Sequence, residues 1–241
     1  MIPFLRFELV RTLRNVRFLV MLVAFPVLIY VIYARQRGVS EGLTVAKLLL
    51  VSMAVYSGMG SAMFASGPQL ARERQNGWMR QLRISPISTP GWFAAKLVQA
   101  ILMIIPGLAV LIVLALTYGH VHLTAPRLGV LAAVLVLGAI PFCALGLAIG
   151  LIFDGQTAQV AQMITLLVLA FLGGIFIQWS SLPHGMQLVG KVLPSYHLAQ
   201  LGWNAAAGRP LGMADVAVLA AWAAGLGLIA ARRWRNESIT S

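Results

Sequence analysis

Apolar residues run through this chain in long unbroken blocks, without the strict alternation of half-buried strands or the single apolar stripe of a soluble helix. Residues 18–34, 48–70, 97–118, 128–153, 157–178 and 213–231 form six such blocks, separated by short polar connections. At ~1.5 Å of rise per helical residue each block can cross a bilayer, the shortest with snorkelling of Arg17 and Arg35 at its ends. The pattern predicts an all-α polytopic membrane protein in which residues 1–241 form one domain with six transmembrane helices.

Two segments carry weaker apolar patterns. In residues 1–17, Ile2, Leu5, Leu9, Leu13 and Val16 share one arc of a helical wheel and Arg6, Arg11, Arg14 and Arg17 the other, which predicts an amphipathic interfacial helix. Residues 179–212 are divided by Pro183, Pro194 and Pro210, so Met186–Leu193 and Tyr196–Ala207 are expected to form two short helices dipping into the outer leaflet, a re-entrant hairpin. Pro106 and Pro141 should bend the third and fourth spans, and Gly146 and Gly150 should admit a close helix neighbour.

Composition supports this assignment and charge orients it. The chain is 60% hydrophobic and 10% charged, with a net charge of +12. In a soluble protein that charge would suggest nucleic acid; here the cations cluster beside apolar spans, so anionic lipid is the expected partner and nucleic acid is not. Twelve cations fall at the N-terminus, residues 71–96 and the C-terminus, against six in the other loops, which places both termini and residues 71–96 in the cytoplasm. The one cysteine, Cys143, lies in an apolar block and reads as a packing residue.

The polar stretch 71–96 interrupts two spans and is the expected contact with a soluble partner. Arg72 to Ile84 can form a short helix on which Trp78 and Leu82 share a face, Ser85-Pro86 breaks it, and Thr89-Pro90 reads as the start of the next helix. Glu73-Arg74, Gly77, Leu82, Pro86-Ile87-Ser88 and Lys96 resemble the segment before the third span of the ABC type-2 exporter permeases. Leu193-Pro194-Ser195-Tyr196 also resembles that family's L-P-x-Y near its outer hairpin. The resemblance implies that residues 71–96 are a coupling helix receiving the motion of a separate ABC ATPase, with Glu73, Arg74, Gly77, Trp78 and Leu82 as coupling residues. It further implies a second permease copy or paralogue, giving a dimer, in the plasma (inner) membrane of a prokaryote.

Catalytic chemistry is sparse. Gly185 to Lys191 approaches the phosphate-loop pattern, but Val192 stands where a hydroxyl would bind magnesium and no strand precedes it. His120 and His122 lack further ligands nearby, and His184 and His197 read as interfacial or hydrogen-bonded residues. The six acids all map to span ends or loops, so the expected interior holds no carboxylate for proton or sodium coupling. Transport energy is therefore expected from ATP and magnesium on the partner, with no cofactor in this chain. Ser57 and Ser61, with Gln159, Gln162 and Thr165, form polar stripes that either line a substrate path or bond one span to another. Leu188, Leu193, Pro194 and Tyr196 are expected at an outer gate.

The reading that follows is a non-enzymatic permease subunit of an ABC exporter, moving a hydrophobic or amphipathic drug or antibiotic in the manner of multidrug efflux and antibiotic resistance. Export of lipid-linked polysaccharide, or a non-transporting sensor or scaffold, is the alternative.

Overall fold

A computed structural model describes residues 16–36, 38–40, 43–76 and 89–240. Helix α1 covers Val16–Tyr33, and the two-residue strands β1 (Val39–Ser40) and β2 (Leu43–Thr44) pair antiparallel in the connection to α2, Val45–Gln75. Helix α3 is Thr89–Thr117, α4 Ala125–Gly138, α5 Ile140–Ile152 and α6 Gly155–Leu172. After a single 3-10 turn at Trp179–Ser181 come the short helices α7 (His184–Gly190) and α8 (Pro194–Ala207), and α9 (Met213–Thr240) ends the order. The interfacial helix expected over residues 1–17 lies outside the described residues, apart from the Val16 and Arg17 that open α1.

Among the described residues, five helical stretches are long and apolar enough to cross a membrane: Val45–Gln75, Ala94–Thr117, Ala125–Ile152, Gly155–Leu172 and Met213–Ala230. The described part of α1 contributes a shorter apolar helix, Val23–Tyr33.

Helix α2 is the centre of the molecule, packed on α1, α3, α5, α6 and α8. Its apolar run is broken by small residues, and these allow neighbouring backbones to approach closely. A Cβ on Gly150 of α5 would collide with the Gly67 carbonyl of α2, and one on Gly146 would meet Ser66 and the Met63 backbone. Ser66 Oγ, held among the Ala62, Met63 and Cys143 carbonyls at 2.8, 3.1 and 3.1 Å, adds a hydrogen-bonding tie across the same α2–α5 seam. Cys143 packs there, 2% exposed.

Several boundaries differ from the sequence expectation. The fourth span is two helices joined at Ala139, because Pro141 in the first turn of α5 has no N–H to carry the helix ladder through. Pro106, by contrast, sits inside a continuous α3. The fifth span stops at Leu172, not near Gln178: Gly173-Gly174 follows, with Gly174 at φ 72, a left-handed conformation that ends the helix. Arg72 to Gln75, the start of the helix expected over Arg72 to Ile84, are the last turn of α2; residues 77–84 lie outside the described residues.

Candidate functional site

At the C-terminal end of α2, four polar side chains meet inside the packing. Gln69 and Glu73 lie one turn apart on α2, and Lys96 and Gln99 one turn apart on the facing side of α3. Lys96 Nζ is 2.7 Å from Glu73 Oε1, with the lysine 1% and the glutamate 5% exposed. Gln69 Nε2 donates to the same oxygen at 3.0 Å, and Gln99 Nε2 donates to Gln69 Oε1 at 2.9 Å. The four form one chain of donors ending on a single carboxylate oxygen. Charges this buried persist only when paired and hydrogen-bonded, and removing one partner of such a pair typically costs ~3–5 kcal/mol.

The neighbouring turn is tied as well. Arg74 Nη1 donates to the Gly150 carbonyl at the end of α5 (3.2 Å) and lies 3.8 Å from Asp154, just before α6. Gly155, at φ 36, brings the α5–α6 turn against the Gln75 amide, where a side chain would crowd it. Helices α2, α3, α5 and α6 are thus joined at one end by ionic and amide contacts.

The expected coupling residues divide here. Glu73, expected to face a soluble partner, is turned inward onto Lys96, while Arg74 is half-buried between two helices. Gly77, Trp78 and Leu82 lie outside the described residues. The quartet itself was not foreseen. Its signal is the pair of one-turn spacings, Gln69/Glu73 and Lys96/Gln99, flanking one connection.

The expected path residues do not converge. Ser57 and Ser61 are buried in α2, with Ser57 so close to α3 that a Cβ on Gly107 would lie 2.5 Å from its hydroxyl. Gln162 is fully buried and donates to the Gly146 carbonyl at 3.2 Å, tying α6 to α5, whereas Gln159 is exposed. Thr165 bonds back to Ala161 of its own helix at 2.8 Å.

A cavity of about 580 Å³ lies instead toward the other end of α2, between α1, α2 and the segment after α6. Its walls include Phe25, Tyr33, Met53, Phe176 and Trp203, with Gln36 and Gln178 as polar contributions and no charged side chain among the described residues. Phe25, Tyr56 and Phe176 form a mutually packed aromatic cluster with centroids 5.1 to 5.7 Å apart. Trp203 is fixed from behind, its indole N–H donating to buried Ser52 at 3.3 Å.

The expected gate residues sit beside this cavity. Tyr196 stacks on Trp179, a cavity wall, at 4.1 Å between ring centroids. Leu193 caps the start of α8, Pro194 is its buried first residue, and Leu188 on α7 is 55% exposed. Gly185–Lys191, the phosphate-loop lookalike, forms α7 and its C-cap.

A helical bundle of apolar spans with a polar junction at one end and an aromatic-walled cavity toward the other defines a multi-pass membrane protein. The profile of the ABC-2 family transporter proteins matches residues 28–232, and the chain belongs to that family. It is also 26% identical over 217 residues, 89% of each chain, to a Bacillus subtilis (strain 168) protein whose name, transport permease YvfS, is itself provisional. The family is one of ABC transporter permeases, not of catalytic enzymes.

Proposed function

We propose that this chain is the permease subunit of an ATP-driven exporter, with the hydrolysing subunits on separate chains and the cargo a hydrophobic or amphipathic small molecule. The observation that carries this reading is the Lys96–Glu73 pair. It clamps together the two ends of the α2–α3 connection, residues 23 apart in sequence, so that a push on the connection is delivered to α2 and α3 together. Glu73 then acts as the root of the coupling segment without touching the partner, and Gly77, Trp78 and Leu82 supply the contact itself.

The rest of the reading follows from charge and shape. Six spans, counting α1, with both termini and the Glu73 end in the cytoplasm fit the cation bias. Helices α7 and α8 form the re-entrant outer hairpin, two copies enclose the route, and the membrane is a prokaryotic inner membrane. The cavity favours a small apolar cargo over polysaccharide: its volume lies in the range of small-molecule pockets, roughly 300–1,000 Å³, and its aromatic walls offer few hydrogen bonds for a sugar.

The test is co-expression with a candidate ABC ATPase from the same genome, purification into lipid nanodiscs, and measurement of ATP hydrolysis with and without an apolar fluorescent cation. Co-purification and dye-stimulated hydrolysis support the proposal. A chain that neither retains the ATPase nor alters its rate overturns it in favour of a sensor or scaffold.

A further inference from the structure

At the end of the molecule opposite Glu73, the ring of His197 on α8 makes two hydrogen bonds. Nδ1 lies 2.7 Å from Asp215 Oδ1 in the first turn of α9, and Nε2 lies 2.8 Å from the carbonyl oxygen of Lys191 at the end of α7. The histidine is 8% exposed and the aspartate side chain 18%.

Counting protons decides what this arrangement contains. A backbone carbonyl can only accept, so Nε2 carries a hydrogen. An ionised carboxylate can only accept, so Nδ1 must carry one too; otherwise the carboxyl group is protonated and donates to Nδ1. In either case the trio holds one proton more than a neutral imidazole beside an ionised aspartate. With that proton gone, one of the two ring nitrogens must turn a lone pair toward an oxygen lone pair, and one contact is lost.

We propose that His197 and Asp215 form a proton-binding site that latches the α7–α8 hairpin to α9. The latch has a second strand: Trp222, two turns beyond Asp215 on α9, donates its indole N–H to the next carbonyl, Val192, at 2.8 Å. The two α9 side chains thereby hold consecutive carbonyls of the α7–α8 turn, one of them through His197. Among the described residues, releasing the imidazole leaves Trp222 as the α9 side chain hydrogen-bonded to that turn. Its motion reaches the cavity, because α7 is bonded through Gln187 to the carbonyls of Trp179 and Leu182 (3.1 and 2.9 Å) and Trp179 is a cavity wall.

Asp215 is the charged group paired with the imidazole from α9. On α8 Tyr196 sets its ring edge-on at 5.2 Å, and from α7 Lys191 presents its carbonyl while its side chain is exposed, as are His184 on α7 and Arg209 after α8. That the bound proton comes from the cell exterior rests on the orientation proposed above; the proton count and the latch do not.

The experiment places a cysteine at buried Leu182 or at exposed Val189 in a Cys143→Ala background of the full chain and follows thiol labelling in nanodiscs from mildly acidic to alkaline pH. The Leu182/Val189 rate ratio removes the pH dependence that the two thiols share. It should be low at acidic pH and rise roughly ten-fold as the proton is lost, the scale of one hydrogen bond to a charged group. Asp215→Asn should stay low at every pH, because the asparagine amide donates to a neutral imidazole and no extra proton is needed. His197→Ala should be high throughout. A ratio in the parent chain that is flat with pH, or an Asp215→Asn chain that keeps the parent's pH dependence, overturns the proposal, and the asparagine arm remains decisive if His197→Ala fails to fold.

Discussion

Lys96 and Glu73, 23 residues apart, meet at 2.7 Å with almost no exposure to solvent, so the ends of α2 and α3 on either side of residues 77–88 are held together by an ion pair. Lys96→Met leaves the Glu73 carboxylate buried with only the Gln69 amide, and a loss of ~3–5 kcal/mol is expected. Lys96→Met combined with Glu73→Met removes both charges and should recover most of that stability while still lowering stimulation of the ATPase. Thermal unfolding in detergent and ATP hydrolysis in nanodiscs separate the two effects. Full stimulation by the double variant would show that the clamp is structural only.

Gly150→Val places a side chain against the Gly67 backbone of α2. Because backbone cannot move aside as a flexible side chain would, the seam must open, at a cost of about 1–3 kcal/mol or more. The expected result is a lower unfolding temperature, with Gly129→Val, where no atom lies near the added Cβ, as the unaffected control.

Cavity occupancy is tested at Phe176, which contacts Phe25, Tyr56 and Phe171. Phe176→Ala should weaken binding of an apolar fluorescent ligand by roughly ten-fold, the worth of a lost aromatic contact, and leave ATPase association unchanged. Fluorescence titration of the purified subunit reads the first effect and co-purification the second. Equal affinity in the two proteins would move the cargo site elsewhere.

Orientation is open to a direct measurement. Gln75 and His122 are both exposed and stand at opposite ends of the spans. With Cys143 replaced, Gln75→Cys should be protected from impermeant thiol reagents in intact cells and His122→Cys should react. The reverse pattern would invert the proposed topology and separate the Glu73 junction from any cytoplasmic ATPase.

Much of the helical plan was legible because membrane spans announce themselves by long apolar runs, and α3 begins at Thr89 as its Thr-Pro pair foretold. What failed were places where apolar composition says nothing about backbone geometry. Ile175, Phe176 and Ile177 are as hydrophobic as the span before them, yet Gly173-Gly174 turns them out of α6 and into the cavity wall. Polar residues were harder, since a Ser or Gln within a span records only that the position avoids lipid. Whether it bonds a neighbouring helix, as Gln162 does to Gly146, depends on helix rotation, which sequence spacing alone leaves open. Glu73 was visible as a polar position at a span end and His197 as one in the outer hairpin. Their partners Lys96 and Asp215 could not be assigned until α3 and α9 were set beside α2 and α8.

The Gly67–Gly150 contact coincides with Pro68, the proline within α2, which has no N–H to give the preceding turn. Helix α2 nonetheless runs unbroken through Pro68, and the close contact there gives it a point about which to rock as one rod. Its short arm ends at Glu73 and Gln75; its long arm reaches Ser52, about 22 Å away at 1.5 Å per residue. A rocking of roughly 5° about Gly67 carries Ser52, and with it the Trp203 wall of the cavity, about 2 Å sideways, while Glu73 travels less than half as far. On the coupling proposed above, a small displacement delivered at the ionic junction would arrive enlarged at the aromatic walls.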